Sequence, residues 1–310
     1  GDIGRIAAPQ IQGQSAYYAQ LNGGKRNISI DLNWPEAREA TLRLCQKADV
    51  IVENFRPGTM KTFGLDYETV RQENPSVVYV SMSGYGQNTP WSTRPAFAPT
   101  VQAESGATKT QIDHFGNDLS QPVTDWASHA DIYTGLEGAI AALAGLNKRN
   151  ATGTGLHGDV SMMATMLAVN ERLHAQINEL DAADEPLALG APESPIFKVA
   201  DGSLVTIAAS PISSGVFMRY CGMMGRNDLR TDSRFLTASL RRENLNALLT
   251  EIQNWMRSFR SFEELEHQVS GAGGLAVGKV RTAANLLDTD WAQAVDLSLI
   301  HISEPTRQSL

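Results

Sequence analysis

Asp131 is the carboxylate whose position in this sequence most suggests chemistry. It stands at the start of a predicted helix over residues 131–148, in which Leu136, Ile140 and Leu143 recur at helical spacing. An Asp at a helix start is often an N-cap, whose side-chain oxygen accepts backbone N–H groups. The same position suits a nucleophilic carboxylate, because the helix dipole stabilises an anion there. Spacing alone leaves both interpretations open.

Other chemical motifs in the sequence are weak. Residues 153–158 (GTGLHG) have the spacing of a dinucleotide-binding loop, but they follow a helix and open a strand, the reverse of what such a loop needs. We interpret them as a glycine-rich turn at a helix C-terminus. The sequence has no G-x-S-x-G serine-hydrolase motif and no His, Cys and Asp cluster with metal-ligand spacing, so we expect no metal. Asp125 and Asp159 are weaker candidates for a nucleophile.

The composition is that of a globular chain of about two domains. Of 310 residues, 42% are hydrophobic and 19% charged, which excludes a disordered tail, a coiled coil and a collagen. A net charge of −8 argues against general nucleic-acid binding. No apolar run is long enough to span a membrane and no signal peptide is visible. The two cysteines, Cys45 and Cys221, form no disulfide framework, so we expect a cytoplasmic protein.

Strands and helices alternate along the first 180 residues, a pattern typical of βαβ units. The predicted strands are residues 27–32, 50–52, 77–82 and 157–161. Helices are predicted from Pro35 onward and at residues 67–73, 131–148 and 162–180, with a long polar loop at 84–125. The run at 77–82 (VVYVSM) is apolar almost throughout, as expected of a parallel strand covered on both faces.

The pattern changes after an acidic, proline-bearing linker at 181–195. A hairpin is predicted around Asp201-Gly202, followed by helices at 214–224, 244–259 and 262–270 and a strand at 275–280. We therefore predict a large α/β domain over 1–180, a smaller α+β domain over 196–285 and a partial return segment over 286–310. Residues 297–310 break the preceding pattern and resemble a translated sequencing adapter, so we left them out of the fold prediction.

Five collinear segments resemble the family III CoA-transferases, also called the CaiB/BaiF family. They are GKRNISIDL, ADVIVENFRPGTMKTFGL, NPSVVYVSMSGYGQ, ADIYTGLEGAIAALAGL and GTGLHGDVSM, within residues 24–162. The resemblance implies a Rossmann-like large domain with a parallel sheet, a smaller α+β domain and an interlocked homodimer. It also implies that the first strands and the C-terminal portion of the family fold lie outside this chain.

The resemblance further implies a reaction, the transfer of CoA from an acyl-CoA to a free carboxylic acid. The family's nucleophilic Asp falls on Asp131, which would form an acyl anhydride with the donor and then an aspartyl-CoA thioester. Coenzyme A is a substrate in this scheme, and no cofactor is expected. On the resemblance, Asp131 is predicted to be catalytic rather than a helix cap.

CoA contacts of the family fall on the NF motif, which is Asn54 and Phe55 here. CoA carries several phosphate charges, which favour contacts with Arg and Lys. The cations available for this role are Lys25, Arg26, Arg56 and Lys61. Two positions depart from the family pattern: Thr62 replaces a common Arg, and Ala98 replaces a common acidic residue.

Two alternatives remain beside the transferase. The family has an acyl-CoA racemase branch, which needs a His and a Glu as bases. This sequence has Phe97 at the His position and Ser210, before Pro211, at the Glu position, so the transferase is favoured. The second alternative is an inactive fragment. No pattern in the sequence identifies the donor and acceptor acids.

Overall fold

The chain folds as two compact units. The computed structural model describes residues 2–109, 127–170, 173, 177–178 and 196–295. One unit is Asn27–Ala182, and the other combines Gly1–Arg26 with Ala183–Leu310. The predicted linker at 181–195 and the segment at 297–310 lie outside the described residues.

Residues 1–26 group with the second unit, whereas we placed them in the large domain. They form a 3-10 turn (Ile3–Ile6), an antiparallel ladder of β1 (Gln10–Ile11) and β2 (Gln14–Ser15), and a helix (Ala16–Asn22). A tight turn at Gln12 and Gly13, both with positive φ, folds the ladder back on itself. These elements pack mainly against one another.

A parallel sheet forms the centre of the first unit. Its strands are β3 (Val50–Glu53), β4 (Val78–Ser83) and β5 (Leu156–Ser161), in the order β3–β4–β5. Both pairings are parallel, with Val50 opposite Val78 and Val78 opposite Leu156. The predicted parallel strands at 50–52, 77–82 and 157–161 are therefore confirmed.

The predicted strand at residues 27–32 is wrong. The segment is not hydrogen-bonded to any strand that the structure describes, and the side chain of Ile28 is 74% exposed. Alternating apolar residues form a strand only where a neighbour pairs with the backbone and a core covers one face. Here only Leu32, at the end of the segment, packs against a buried cluster.

Helices cover the sheet and extend from its ends. The described helices of this unit are Pro35–Cys45, Thr59–Thr62, Tyr67–Glu73, Ala98–Glu104, His129–Thr152 and Met162–Ala168. The helix Ala98–Glu104 lies inside the segment we predicted to be a loop. Its polar composition concealed the buried positions Ala98 and Val101, which pack with Ala130. Residues 110–126 of that segment lie outside the described residues.

The long helix, His129–Thr152, packs on the sheet through two glycines. A Cβ added to Gly145 would lie 2.4 Å from Val78 Cγ1, and one added to Gly138 would lie 2.6 Å from Met82 Sδ. Gly145 therefore sits over the start of β4 and Gly138 near its end, so the long helix begins at the carboxyl end of the sheet. Gly153 ends the helix with φ of 75°, which confirms the predicted glycine turn.

The long helix exposes an apolar stripe on its other side. Ile132, Leu136, Ile140 and Leu143 follow one another along one face, and their exposed fractions lie between 52% and 66%. Single exposed apolar residues are common, but a continuous row on one helix is the pattern of a contact surface.

The second unit is built on an antiparallel sheet of β6 (Ile196–Lys198), β7 (Leu204–Ile207) and β8 (Val277–Lys279), in that order. The predicted hairpin is confirmed, with φ of 90° at Gly202 in its turn. The helices that follow are Ser214–Met224, Ala238–Glu243, Leu245–Met256 and Phe262–Glu266, then Ala283–Leu287 and Asp290–Ala294. A single buried cluster joins three of these helices, Ser214–Met224, Leu245–Met256 and Phe262–Glu266, to the sheet. Among the described residues, no helix is both long and apolar enough to cross a bilayer.

Candidate active site

The first turn of the long helix carries Asp131. The helix begins at His129, two residues earlier than predicted, and Ser128 is the N-cap residue. The Ser128 side chain makes no hydrogen bond to the helix amides, and Asp131 is the third helical residue. The carboxylate of Asp131 accepts no backbone N–H among the described residues. The interpretation of Asp131 as a helix cap is therefore wrong.

Three of the first four helix amides are bonded in other ways. The His129 N–H donates to the Ala127 carbonyl across an inverse γ-turn at 2.8 Å, and the Ile132 N–H donates to the Ser128 carbonyl at 3.0 Å. The Ala130 N–H donates to Oε1 of Gln102 at 3.3 Å. Only the N–H of Asp131 itself has no partner within the described residues.

Asp131 is exposed on one side and partly desolvated on the other. Partial burial raises the pKa of its carboxyl above the ordinary value. It has no hydrogen bond and no ion pair within the described ranges. A carboxylate that is poorly solvated and unpaired is a better nucleophile than one solvated by water or held by a cation.

The segment after β3 holds four of the six predicted CoA-contact residues. Asn54, Phe55 and Arg56 follow the strand directly and are exposed, and Lys61 is exposed on the short helix Thr59–Thr62. The backbone N–H of Phe55 donates to Oε2 of the buried Glu53 at 2.8 Å, which fixes the start of the segment. The carboxyl end of a parallel sheet is where open α/β folds bind ligands.

The structure does not bring all six of these residues into one unit. Lys25 and Arg26 belong to the second unit, whereas the segment after β3 belongs to the first. The Nζ of Lys25 donates to Oδ1 of Asn22 at 3.1 Å. The role of each of the six residues in CoA binding stays a prediction.

The weaker acidic candidate that the structure describes has a structural contact. Oδ2 of Asp159 accepts the backbone N–H of Gln87 at 3.0 Å and so holds the chain that follows β4. The neighbouring His157 lies 3.0 Å from Oγ of Ser81, and its ring stacks on Tyr67 with centroids 4.7 Å apart. Asp125 lies outside the described residues.

The racemase positions hold no base in this chain. Phe97 precedes the helix Ala98–Glu104 and is 73% exposed, and Ala98 is buried. Ser210 and Pro211 lie in the second unit, in the segment between β7 and the helix Ser214–Met224. Among the described residues, no three His, Cys, Asp or Glu side chains are grouped as metal ligands.

Sequence reasoning missed Gln102, which bonds to the start of the long helix. It lies in a segment rich in polar residues, and nothing in the spacing distinguished it from its neighbours. No local signal marks it, because Ser128 and Asp131 have the three-residue spacing of a capping box, and only the structure shows that the Ser128 side chain makes no cap bond. A helix start without a local cap needs an acceptor from elsewhere in the chain.

Comparison with known proteins decides the family. Residues 1–308 match the family model described as CoA-transferase family III. The chain belongs to this family. The match includes most of the segment 297–310, which we had left out of the fold prediction.

Its relatives include several proteins named as CoA-transferases. The chain is 34% identical to an acyl-CoA transferase of Fusarium pseudograminearum over 77% of its length, and spans 52% of that relative. It is 30% identical to the succinyl-CoA:mesaconate CoA-transferase of Haloarcula hispanica over 84% of its length, and spans 67% of that relative. It is 31% identical to the acetyl-CoA:oxalate CoA-transferase of Acetobacter aceti over 93% of its length, covering 74% of that protein. The chain thus spans between half and three quarters of these relatives.

A solved structure matches the same fold. The crystal structure of a CaiB/BaiF family protein from Brucella suis superposes with a TM-score of 0.74 and 29% identity, covering 95% of this chain and 78% of that one. The predicted resemblance to the family is confirmed. So is a mixed α/β fold that contains a parallel sheet and helices.

Proposed function

We propose that the full protein transfers CoA from an acyl-CoA to a free carboxylic acid, as a CoA-transferase of the EC 2.8.3 type, with Asp131 as the nucleophile. One observation carries the proposal: in a member of this family, Asp131 is a carboxylate without a partner among the described residues, on a helix that begins at the carboxyl end of a parallel sheet. The names of three relatives, which include mesaconate, oxalate and succinyl-CoA, support the class of substrate.

The reaction begins with attack of an Asp131 oxygen on the thioester carbonyl of the donor. The new C–O bond forms as the C–S bond breaks, which gives a mixed anhydride and free CoA thiolate. The thiolate then attacks the carboxyl carbon of Asp131, forms an aspartyl-CoA thioester and releases the donor acid. No net proton transfer is required in either step.

The second half of the reaction reverses these bonds with the acceptor. The acceptor carboxylate attacks the aspartyl-CoA thioester, expels the thiolate and forms a second anhydride. The thiolate attacks the acceptor acyl carbon, which gives the new acyl-CoA and restores the Asp131 carboxylate. The raised pKa of Asp131 supports this role, because it reflects a partly desolvated carboxyl, and a partly desolvated carboxylate is more nucleophilic.

In this proposal CoA lies along the segment after β3. Asn54 and Phe55 contact the CoA, and Arg56 and Lys61 balance its phosphate charge. Lys25 and Arg26 are candidates for phosphate contact on the family resemblance alone. The exposure of the first four residues supports their availability to a ligand. The racemase alternative is not favoured, because neither Phe97 nor Ser210 is a base suited to removing a proton next to a thioester.

We also propose that the protein is a homodimer in the cytoplasm. The apolar stripe on the long helix supports a contact with a second chain, because burying a side chain such as Leu136 contributes about 1.5–3 kcal/mol. The two described cysteines, Cys45 and Cys221, are free and buried, which agrees with a reducing compartment.

Mass spectrometry of CoA exchange tests the nucleophile. The full-length protein is mixed with a panel of acyl-CoAs and free acids, beside the 310-residue chain. We expect exchange in the full-length protein, and none for Asp131→Ala or Asp131→Asn, because neither side chain can form the anhydride. Hydroxylamine added with an acyl-CoA should modify the Asp131 peptide of the wild type only.

Glu137→Gln is the matched control, since Glu137 is an exposed carboxylate of the same helix. It should retain full exchange. Full activity in Asp131→Asn would refute the proposal. An active full-length protein beside an inactive 310-residue chain would identify the chain as the inactive fragment.

A further inference from the structure

Gln102 links two helices at the point where the long helix begins. It lies near the end of the helix Ala98–Glu104 and is only 4% exposed. Its Oε1 accepts the backbone N–H of Ala130 at 3.3 Å, from a position 28 residues earlier in the chain. The hydrogen bond is buried, because Ala130 is itself fully buried.

The long helix depends on this acceptor because its own N-cap supplies none. Ser128 makes no side-chain bond to the helix, so the Ala130 N–H has no local acceptor. A buried N–H left without a partner costs about 1–3 kcal/mol. Gln102 therefore serves as a cap supplied from another helix.

Both backbone polar groups of Ala130 are held. Its N–H is bound by Gln102, and its carbonyl accepts the Thr134 hydroxyl at 2.6 Å. The next residue is Asp131, whose carboxylate has no partner of its own among the described residues. Since no contact with a described residue holds the Asp131 side chain, the place from which its carboxylate can reach a substrate is determined by the backbone that leaves Ala130.

We propose that Gln102 is a positioning residue for Asp131: by holding the Ala130 N–H it fixes the first turn of the long helix and thereby the position of the attacking carboxylate. The inference rests on the proposed function of Asp131. Its physical basis is that a displacement of about 1 Å at a reacting group can lower a rate about 10²-fold.

The test compares Gln102→Met with Gln102→Glu in the full-length enzyme. Met keeps the volume of Gln but cannot accept a hydrogen bond from Ala130. We expect Gln102→Met to lower kcat and the rate of hydroxylamine trapping at Asp131 by about 10- to 100-fold. The KM for the acyl-CoA should change less than about twofold, because the substitution leaves unchanged the contacts that hold the substrate equally well in the ground state and the transition state.

Gln102→Glu keeps an acceptor oxygen. We expect it to retain the plateau value of kcat, because a carboxyl oxygen can accept the Ala130 N–H as the amide oxygen does. Ser105→Ala is the stability control: its hydroxyl makes a buried bond at 3.1 Å to the Gln102 carbonyl and does not touch Ala130. It should lower the melting temperature with little effect on kcat.

The outcomes separate the two proposals. Loss of activity in Asp131→Asn, together with a kcat of Gln102→Met equal to that of Ser105→Ala, would overturn the positioning role alone. Full activity in Asp131→Asn would overturn the proposed function. If Gln102→Met does not fold, Gln102→Glu decides: a folded variant that has lost the plateau contradicts positioning, and one that keeps it supports the role.

Discussion

The two units bury their apolar side chains in different ways. In the second unit, one continuous cluster joins the sheet β6–β7–β8 to the helices around it. In the first unit, the described residues form three smaller clusters, and the apolar stripe of the long helix faces outward. The stability of the unit with the candidate nucleophile therefore depends on close approach between backbone segments, and part of its apolar surface is left for contact with another surface. The stability of the other unit depends on a closed core.

The glycines of the first unit should give the largest effect. A Cβ on Gly155 would lie 1.8 Å from the carbonyl oxygen of Val77, which is backbone and cannot rotate away. We expect Gly155→Ala to lower the unfolding free energy by about 4 kcal/mol or more, measured by urea denaturation, because β4 and β5 must separate.

Gly153→Ala is the matched control two residues earlier. Gly153 has φ of 75° and no atom within 4 Å of an added Cβ. Only backbone strain of about 1–2 kcal/mol should appear. Equal losses in the two variants would contradict the view that close approach governs this unit.

In the second unit, we expect the largest effect at Arg241. This side chain is 2% exposed and donates to the carbonyls of Ile212 and Phe235 at 2.7 and 2.8 Å and to Oγ of Ser214 at 2.8 Å. Arg241→Ala leaves a cavity and two buried carbonyls without donors, so we expect a loss of about 3–4 kcal/mol in thermal or urea unfolding.

Arg219→Ala is the control for Arg241, since Arg219 is exposed on the helix Ser214–Met224. Its unfolding free energy should stay within about 0.5 kcal/mol of the wild type. A similarly small loss for Arg241→Ala would show that the core does not depend on this hydrogen-bonded guanidinium.

The apolar stripe should affect assembly more than folding. We expect the double variant Leu136→Glu, Ile140→Glu to weaken self-association at least about tenfold in sedimentation analysis, because each buried aliphatic side chain is worth about 1.5–3 kcal/mol. Glu137→Lys, on the same helix but off the stripe, should leave the mass unchanged. An unaltered dimer in the double variant would remove the stripe from the interface.

The smallest effect concerns pH and Asp131. Its raised pKa means that the folded state favours the protonated form, so its contribution to stability is present at low pH and is lost as pH rises through the folded pKa. Asp131→Asn should be slightly more stable than the wild type at neutral pH, and this gain in unfolding free energy should vanish at low pH.

The same raised pKa should be visible in the kinetics. The acid limb of wild-type kcat/KM should lie above 3.8, the ordinary pKa for Asp. A limb at or below that value would contradict the desolvation of the Asp131 carboxyl.

Local patterns in the sequence predicted an element correctly where the residues that form it lie close together in the chain. The apolar run that became β4, the Asp201-Gly202 hairpin and the helix Ser214–Met224 all carry their signals within a few residues. The strand predicted at 27–32 failed because a strand also needs a partner, which periodicity does not report. Gln102 was missed for the same reason: its bond to Ala130 joins residues far apart in the sequence.

The candidate nucleophile illustrates the same division. The family motif located Asp131, whereas spacing alone left a cap and a nucleophile open. Only the three-dimensional contacts exclude a capping role for Asp131, because the helix begins at His129, two residues before Asp131, and other acceptors bind the first helix amides. Lys25 and Arg26 belong to one unit and Arg56 to the other, a division that no local pattern in the sequence indicates.

The aromatic packing of Trp255 should give the second unit a recognisable tryptophan fluorescence. Its indole contacts Phe259 and Tyr220 edge-on, with centroids 5.2 and 6.5 Å away, and it packs against the core of that unit. The other described tryptophans, Trp34, Trp91 and Trp291, are between 46% and 65% exposed. Indole emission shifts to shorter wavelength in an apolar environment, so among the described tryptophans Trp255 should contribute most to the blue edge of the fluorescence spectrum. Unfolding of the closed core should therefore shift the Trp255 emission to longer wavelength, which gives an optical signal for the melting of the second unit.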